Sequence, residues 1–568
     1  MGLNGALQIG RSAILTSQAA ISVAGNNMAN AATPGYHRQV ASLAPSRSDS
    51  IGRNQFVGTG VSLVSVNRAI DYALQSRLRD AISDENAAGI DERFLSAVET
   101  IQNELSEDDL SSRLSEFFNA FSELANNPLD NAVRTVVIQQ GVSVADHVNM
   151  IRDEYVTLRE EVDRSLGNSV SRVDGLLGEV ATLNQQIASA EGGQGGATGG
   201  ANSLRDRRDQ LIDELSGFLN VNTIDQPNGV VDILVGSTPL VLAGESRGLE
   251  LRRESGPEGV DVTVRVGDDG TILDIGSGSI GALVRQRAET IDPSIAAIDD
   301  FAGQLAFQVN RVHSQGQGTS LRSDYTGTIR LEDPTGSLNG SYSGLPWPIE
   351  NGSFQLHVVD PASGNRTTHQ VTVDPENDSL DDIVERINVG IGIPDVTASV
   401  TANGEFRLVA ATGREIAFSD DTSGFLAAVG VNGFFSGTDA TDLTVDQALL
   451  DDPTLLSTAS DFTPGGNGAA LRMVELETSP IDAFSGRSLR EKWQSSVNEL
   501  AVRTSAARTS LESSQLVRAN LDAQSQSVSG VSIDEEAIDL MTLQRQFQAA
   551  ARFISVIDEA MQTLLSIA

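Results

Sequence analysis

The chain is expected to fold as a multidomain α plus β protein. Heptad helices at its N- and C-terminal ends pair as a coiled coil, and a long-helix bundle carries β-hairpins and an inserted β-rich outer domain. Three observations predict this. Apolar residues recur with a seven-residue period at both ends of the chain. Period-two alternation with Gly- and Asp-rich turns replaces helical periodicity near residue 220 and again near 325. The 568 residues also exceed what one compact domain holds.

Residues 3–28 read as one helix. Leu7, Ile14, Ile21 and Met28 step by seven, and Leu3, Gly10, Ser17 and Ala24 fill the second seam position. Small side chains there let a partner helix come close. A helix buried in its own globular core would carry a third apolar residue per heptad, so the narrow seam favours a coiled-coil partner. The stretch "NNMANAATPGYHRQ" (26–39) ends the helix. Asn26, Asn27 and Asn30 can bond backbone groups freed at a helix end, and Pro34-Gly35 turns the chain. Tyr36 and Arg38 offer an anchoring ring and a charge to the next domain or subunit. The stretch is expected to be a hinge. As an active site it lacks any general base but His37.

Residues 90–190 continue as helices, with Phe94, Val98, Ile101 and Leu105 in one piece and Leu110, Leu114, Phe117 and Phe121 in the next. Asn126-Asn127-Pro128 breaks the pattern. A longer run then passes through Val137, Val144, Val148, Ile151, Tyr155 and Leu158 to Leu183 and Ile187. "EGGQGGATGG" (191–200) reads as a flexible connector. "NSLRDRRDQLIDELSGFL" (202–219) reads as a helix with an Arg/Asp-rich solvent face.

"GVVDILVGSTPLVLAG" and "GVDVTVRVGDDGTILDIG" alternate with period two around Gly-Ser and Asp-Asp-Gly turns, predicting hairpins at about 220–278. A helix returns at about 280–313. Short strands and one helix capped at Ser379 fill 325–455. Helical pattern resumes at about 486–525. After Gly530 the last helix begins with Asp534-Glu535-Glu536, at the end where carboxylates favour the macrodipole. Its seam is Leu540, Leu543, Phe547, Ala550, Ile554, Ile557, Met561 and Leu564. The expected domains are 1–32 with 530–568, 33–324 with 456–529, and 325–455.

A net charge of −38 argues against nucleic acid or anionic lipid as the main partner. The charge is uneven: residues 1–80 hold seven arginines against three aspartates. Of 39 basic residues the only lysine is Lys492, which removes a phosphate-binding GxxxxGK[ST] loop. Without cysteine there are no disulfides, thiolate nucleophiles or Cys-bound zinc. No apolar run approaches the ~18 residues of a membrane span, and the N-terminus lacks a secretory signal. The five histidines have no metal-ligand spacing, and no G-x-S-x-G elbow supports a triad. "GDDGTILDIGSGS" occurs once, so it reads as a turn rather than a calcium repeat. Nothing in the pattern argues for catalysis, a cofactor or a metal.

A coiled-coil seam needs a partner, and the simplest is the other chain end: Leu7, Ile14 and Ile21 against Ile554, Ile557 and Met561. Such a pair leaves apolar surface exposed, which marks an interaction site. A heterologous contact that does not close builds a helical filament. These features describe a polymerising structural protein.

Residues 7–39 and 530–565 closely resemble the two terminal stretches of the bacterial flagellar axial proteins, the rod, hook and hook-associated family. The ending Thr33-Pro34-Gly35-Tyr36-x-Arg38-Gln39, "NSLRDRRDQLIDELSGFLNV" and "VNRVHSQGQG" are similar to its hook-associated branch. His37 stands where relatives have serine, Met28 where they have a branched aliphatic, and Phe547 where they have tyrosine. The resemblance implies a structural, non-enzymatic component of the junction between hook and filament, required for filament assembly. It implies export by the flagellar type III route without a cleaved signal peptide, an extracellular place in the flagellum, and self-association into a ring. The implied partners are the flagellar hook protein, hook-associated protein 3 and an export chaperone at the C-terminal helix. Neither nucleic acid nor membrane insertion is implied. Another axial protein of the hook or distal-rod type is the alternative, and an extracellular adhesin a more distant one.

Overall fold

The computed structural model describes residues 3–52, 55–103, 109–191, 201–256 and 259–567. Leu105 and residues 192–200 of the glycine-rich connector lie outside them. The chain divides into two units: Met1–Arg93, Val162–Gln286 and Ala506–Ala568 form the first, and Phe94–Glu161 and Arg287–Ser505 the second.

In the first unit the N-terminal helix, Leu3–Ala29, packs along the C-terminal helix, Ile533–Ile567. The chain leaves the first helix through successive turns, with the Thr33 amide bonded to the Asn30 carbonyl and the Tyr36 amide to that of Thr33. It then enters strand Gln39–Pro45, which pairs antiparallel with Val61–Arg68 in a register that sets Gln39 opposite Arg68. Helix Asn202–Phe218 leads into a four-stranded antiparallel meander, Val221–Asp225, Val231–Val235, Thr238–Leu242 and Glu245–Ser246. Gly236 takes φ 57° in the tight turn between the middle strands, where a side chain would be strained.

The second expected hairpin pairs differently. Strand Gly259–Val266 is laddered to the preceding strand Leu249–Gly256 rather than to the residues after its turn. The Asp268-Asp269-Gly270 turn does form, but only a single bridge, Arg265 to Ile272, follows it. Eight residues upstream offer a full ladder, whereas the short "TILDIG" offers little beyond Leu273 to bury.

In the second unit, helix Leu110–Asn126 is capped by Asp109, whose carboxylate accepts from the Ser112 amide at 2.6 Å. Its apolar face sets Phe117 and Phe121 against Phe434, with Phe117 to Phe434 ring centroids 5.4 Å apart in an edge-to-face contact. The expected helix at 280–313 contains a wide turn at Arg287–Ile291, before helix Asp292–His313. Pro293, which has no amide proton to donate, follows that turn.

The β-rich segment holds two three-stranded antiparallel sheets. Arg366–Val373, Gly352–Val359 and Glu415–Ser419 form one, and Asp324–Arg330, Glu405–Ala410 and Val396–Val400 the other. Ser379 caps the short helix Leu380–Glu385 in a reciprocal box with Asp382.

Helix Asp292–His313 is fastened to neighbouring loops by polar side chains. Asn310 Oδ1 accepts from the amides of Phe434 and Phe435, and its Nδ2 donates to the Phe435 carbonyl. His313 is wholly buried: Nδ1 donates to the Asn432 carbonyl at 2.9 Å, and Nε2 accepts from the Ser457 amide at 3.0 Å. Burial holds its pKa down at about 4, so the ring is neutral and both bonds are made. Arg134 is also fully buried, and its guanidinium donates to the carbonyls of Pro128 and Leu456 and to Thr458 Oγ1. Those acceptors are all neutral, and burial lowers its pKa to about 10.

Candidate functional site

The stretch 26–39 is a node on which three remote parts of the first unit converge. Asn27 is its centre, 1% exposed. Its Oδ1 accepts from the Gln39 amide at 3.0 Å and from the Tyr36 hydroxyl at 2.8 Å. Its Nδ2 donates to the Gln39 carbonyl at 2.9 Å and to Glu536 Oε2 at 3.1 Å. An asparagine has two donors and two acceptor sites, and here all four are used. Only a carboxamide can pair both ways with one backbone residue and still reach a carboxylate.

Around it the other residues form a ring of lesser bonds. Asn30 Nδ2 donates to the Asn26 carbonyl and to Asn26 Oδ1, and Asn26 Nδ2 donates to the Tyr36 hydroxyl. The Tyr36 pKa is raised, first by burial and then by the Asp206 charge, so its phenol stays a donor. Arg38 links to both of the last two helices: Nε meets Glu536 Oε1 of the C-terminal helix at 2.7 Å, and its amide donates to the carbonyl of Ser529, the last residue of helix Leu489–Ser529, at 2.9 Å. Glu536 is 2% exposed and ion-paired to Arg38, which is why burying it is tolerated.

The opposite side of the node docks on helix Asn202–Phe218. The Pro34 carbonyl accepts from Gln210 Nε2, and Gly35, at φ +72°, lies so close that a Cβ would fall 2.1 Å from that nitrogen. His37 Nδ1 meets Asp206 Oδ1 at 2.8 Å. Arg68 bridges Asp206 at 2.9 Å and Asp209 at 2.6 Å, and Arg79 bridges Asp209 at 3.5 Å and Asp213 at 2.7 Å. The "RDRRD" helix is therefore not a solvent face: Asp206, Arg208 and Asp209 are buried. Periodicity could not show this, because the arginines that neutralise them come from residues 68 and 79. The excess of arginine in residues 1–80 was the available signal.

Along the helix pair, Gly10, Ser17 and Ala24 are buried, while Leu7, Ile14, Ile21 and Met28 are half-buried. At Gly10 a Cβ would stand 2.6 Å from Ile554 Cγ1. On the C-terminal helix, Leu540, Leu543, Phe547, Ile554 and Met561 are half-buried and Ile557 is buried, while Leu564 is 54% exposed. A second set of apolar residues on that helix, Ile538, Met541, Phe553, Val556 and Leu565, is exposed. No described helix is long and apolar enough to cross a membrane.

The site offers fixation rather than chemistry: its groups are consumed by one another. Residues 95–327 match the family described as flagellar hook-associated protein FlgK helical domain, and residues 523–567 match the flagellar basal body rod FlgEFG protein C-terminal family. The chain is 25% identical over 580 residues to flagellar hook-associated protein 1 of Escherichia coli (strain K12), covering 98% of each chain. It is 25% identical over 571 residues to flagellar hook-associated protein 1 of Bacillus subtilis (strain 168), covering 99% of this chain and 97% of that one. The solved flagellar hook junction protein FlgK from Burkholderia pseudomallei aligns with TM-score 0.49 and 15% identity, over 80% of this chain and 100% of that one. Over nearly its whole length the chain is thus similar to flagellar hook-associated proteins of the bacterial flagellum, and its residues 95–327 match the helical domain of that family.

Proposed function

We propose that this chain is the structural subunit that joins hook to filament, acting by assembly and without catalysis. The observation that carries the reading is the apolar face of the C-terminal helix. The node clamps one side of that helix to the rest of the subunit and leaves Ile538, Met541, Phe553 and Val556 in solvent. Isolated subunits gain nothing from such a face, and neighbouring subunits would bury it. The paired terminal helices would line the inner tube, with Leu7, Ile14, Ile21, Leu543, Phe547 and Ile557 among their contacts, and the segment 325–455 would face outward. Self-association gives a short ring, with the hook protein on one side and hook-associated protein 3 on the other. Before export without a cleaved signal peptide, a chaperone would cover the C-terminal helix.

Deleting the gene tests this. Cells should build completed hooks, carry no filaments and release flagellin to the medium. Filaments of normal length would refute the junction role, and loss of the hooks themselves would point to a hook or distal-rod function.

A further inference from the structure

We propose that a cationic hollow in the second unit, built around the chain's single lysine, receives carboxylates of a neighbouring copy of this chain. The inference rests on the self-assembly proposed above. Each subunit carries a net charge of −38, so copies brought together repel unless cations on one meet carboxylates on the next. Many of the arginines are already spent on carboxylates of their own chain, such as Arg68, Arg152, Arg386 and Arg414.

The wall around Lys492 is different. Arg487, Lys492 and Arg503 border one hollow of about 240 Å³. Arg503 donates to neutral oxygens, Thr290 Oγ1 at 2.7 Å and the Glu289 carbonyl at 3.4 Å. Arg487 donates to Ser495 Oγ at 3.1 Å. The Lys492 ammonium stands 5.4 Å from the centre of the Phe484 ring. Glu289 and Glu499 border the same hollow, but among the described residues neither forms an ion pair with these three cations. The hollow is large enough for a carboxylate side chain or two, and a chain this acidic presents them widely. Charge complementarity makes a second copy the occupant.

The single lysine makes the test unambiguous. A carbodiimide activates a carboxylate, and Lys492 Nζ then attacks the carbonyl carbon. An amide forms, and the carboxylate oxygen leaves with the urea by-product. Full-length chain, half of it isotopically labelled, would be assembled, followed by light scattering, treated and mapped by mass spectrometry. The expected product joins Lys492 of one copy to an Asp or Glu of another. Lys492→Arg should assemble normally and lose that product, and Lys492→Glu should weaken assembly at least tenfold at low salt. Assembled chains whose Lys492 links only within its own copy, or not at all, would overturn this inference and leave the junction role standing. Chains that never assemble under any condition would overturn the self-association on which it rests.

Discussion

Asn27 donates a hydrogen bond to the buried carboxylate of Glu536 across 509 positions of the chain. The same side chain is paired in both directions with Gln39, so one carboxamide ties the end of the first helix, the first strand and the start of the last helix.

Removing that side chain should free both helices. In Asn27→Ala, Glu536 loses a donor, Tyr36 and the Gln39 amide lose their acceptor, and the cost is about 2–4 kcal/mol. Hydrogen exchange should accelerate throughout 3–29 and 533–567 and stay unchanged in 287–505. Unaltered protection of the terminal helices would show that the node does not hold them.

The close approach at Gly10 makes a size-compensation test. Gly10→Ala places a methyl where Ile554 now sits, for about 1–3 kcal/mol of overpacking. Ile554→Ala, which removes the Cγ1 that the new methyl meets, should cost less in the Gly10→Ala chain than alone, giving a coupling energy in a double-mutant cycle followed by thermal denaturation. Additive effects would mean that the two helices do not meet there.

The buried ionic cluster predicts an asymmetry. Arg68→Met leaves Asp206 and Asp209 short of a cation and should destabilise the first unit by about 3–5 kcal/mol. Adding Asp206→Asn and Asp209→Asn should restore most of it, which urea titration would reveal.

His313 sets an acid limit. Its folded pKa of about 4 lies below the usual 6.5, so the unfolded chain binds the extra proton first as pH falls. The contribution is fully present above pH 6.5. It fades as pH falls from 6.5 to about 4, by about 3 kcal/mol in all. His357, also buried and held at about 4, adds a loss of the same sign. Denaturation of His313→Asn should show a flatter pH dependence over that window; an identical slope would exclude the ring as its source.

Local pattern carried the elements well. The heptads placed both terminal helices, and the break at Asn126-Asn127-Pro128 fell where helix Leu110–Asn126 ends. What pattern could not carry was pairing between distant segments. Asp206 and Asp209 looked like a wet surface because their arginines lie more than a hundred residues away. His37 stood without a visible partner for the same reason. Strand Gly259–Val266 had two plausible neighbours, and the choice went to the longer ladder. In the node, the asparagines were legible as polar groups at a helix end, but nothing in their spacing named Glu536.

The bond between Asn27 and Glu536 also has a consequence in time. A contact between residues so far apart closes late, because the intervening loop entropy must be overcome before the contact gives anything back. A chain growing from its N-terminus has made its first helix long before residue 536 exists. Until then Asn27 lacks its distant partner and Gly10 its neighbour, so the terminal pair can form only once the whole chain is present. The pairing of the two terminal helices thus waits on residues from both of them.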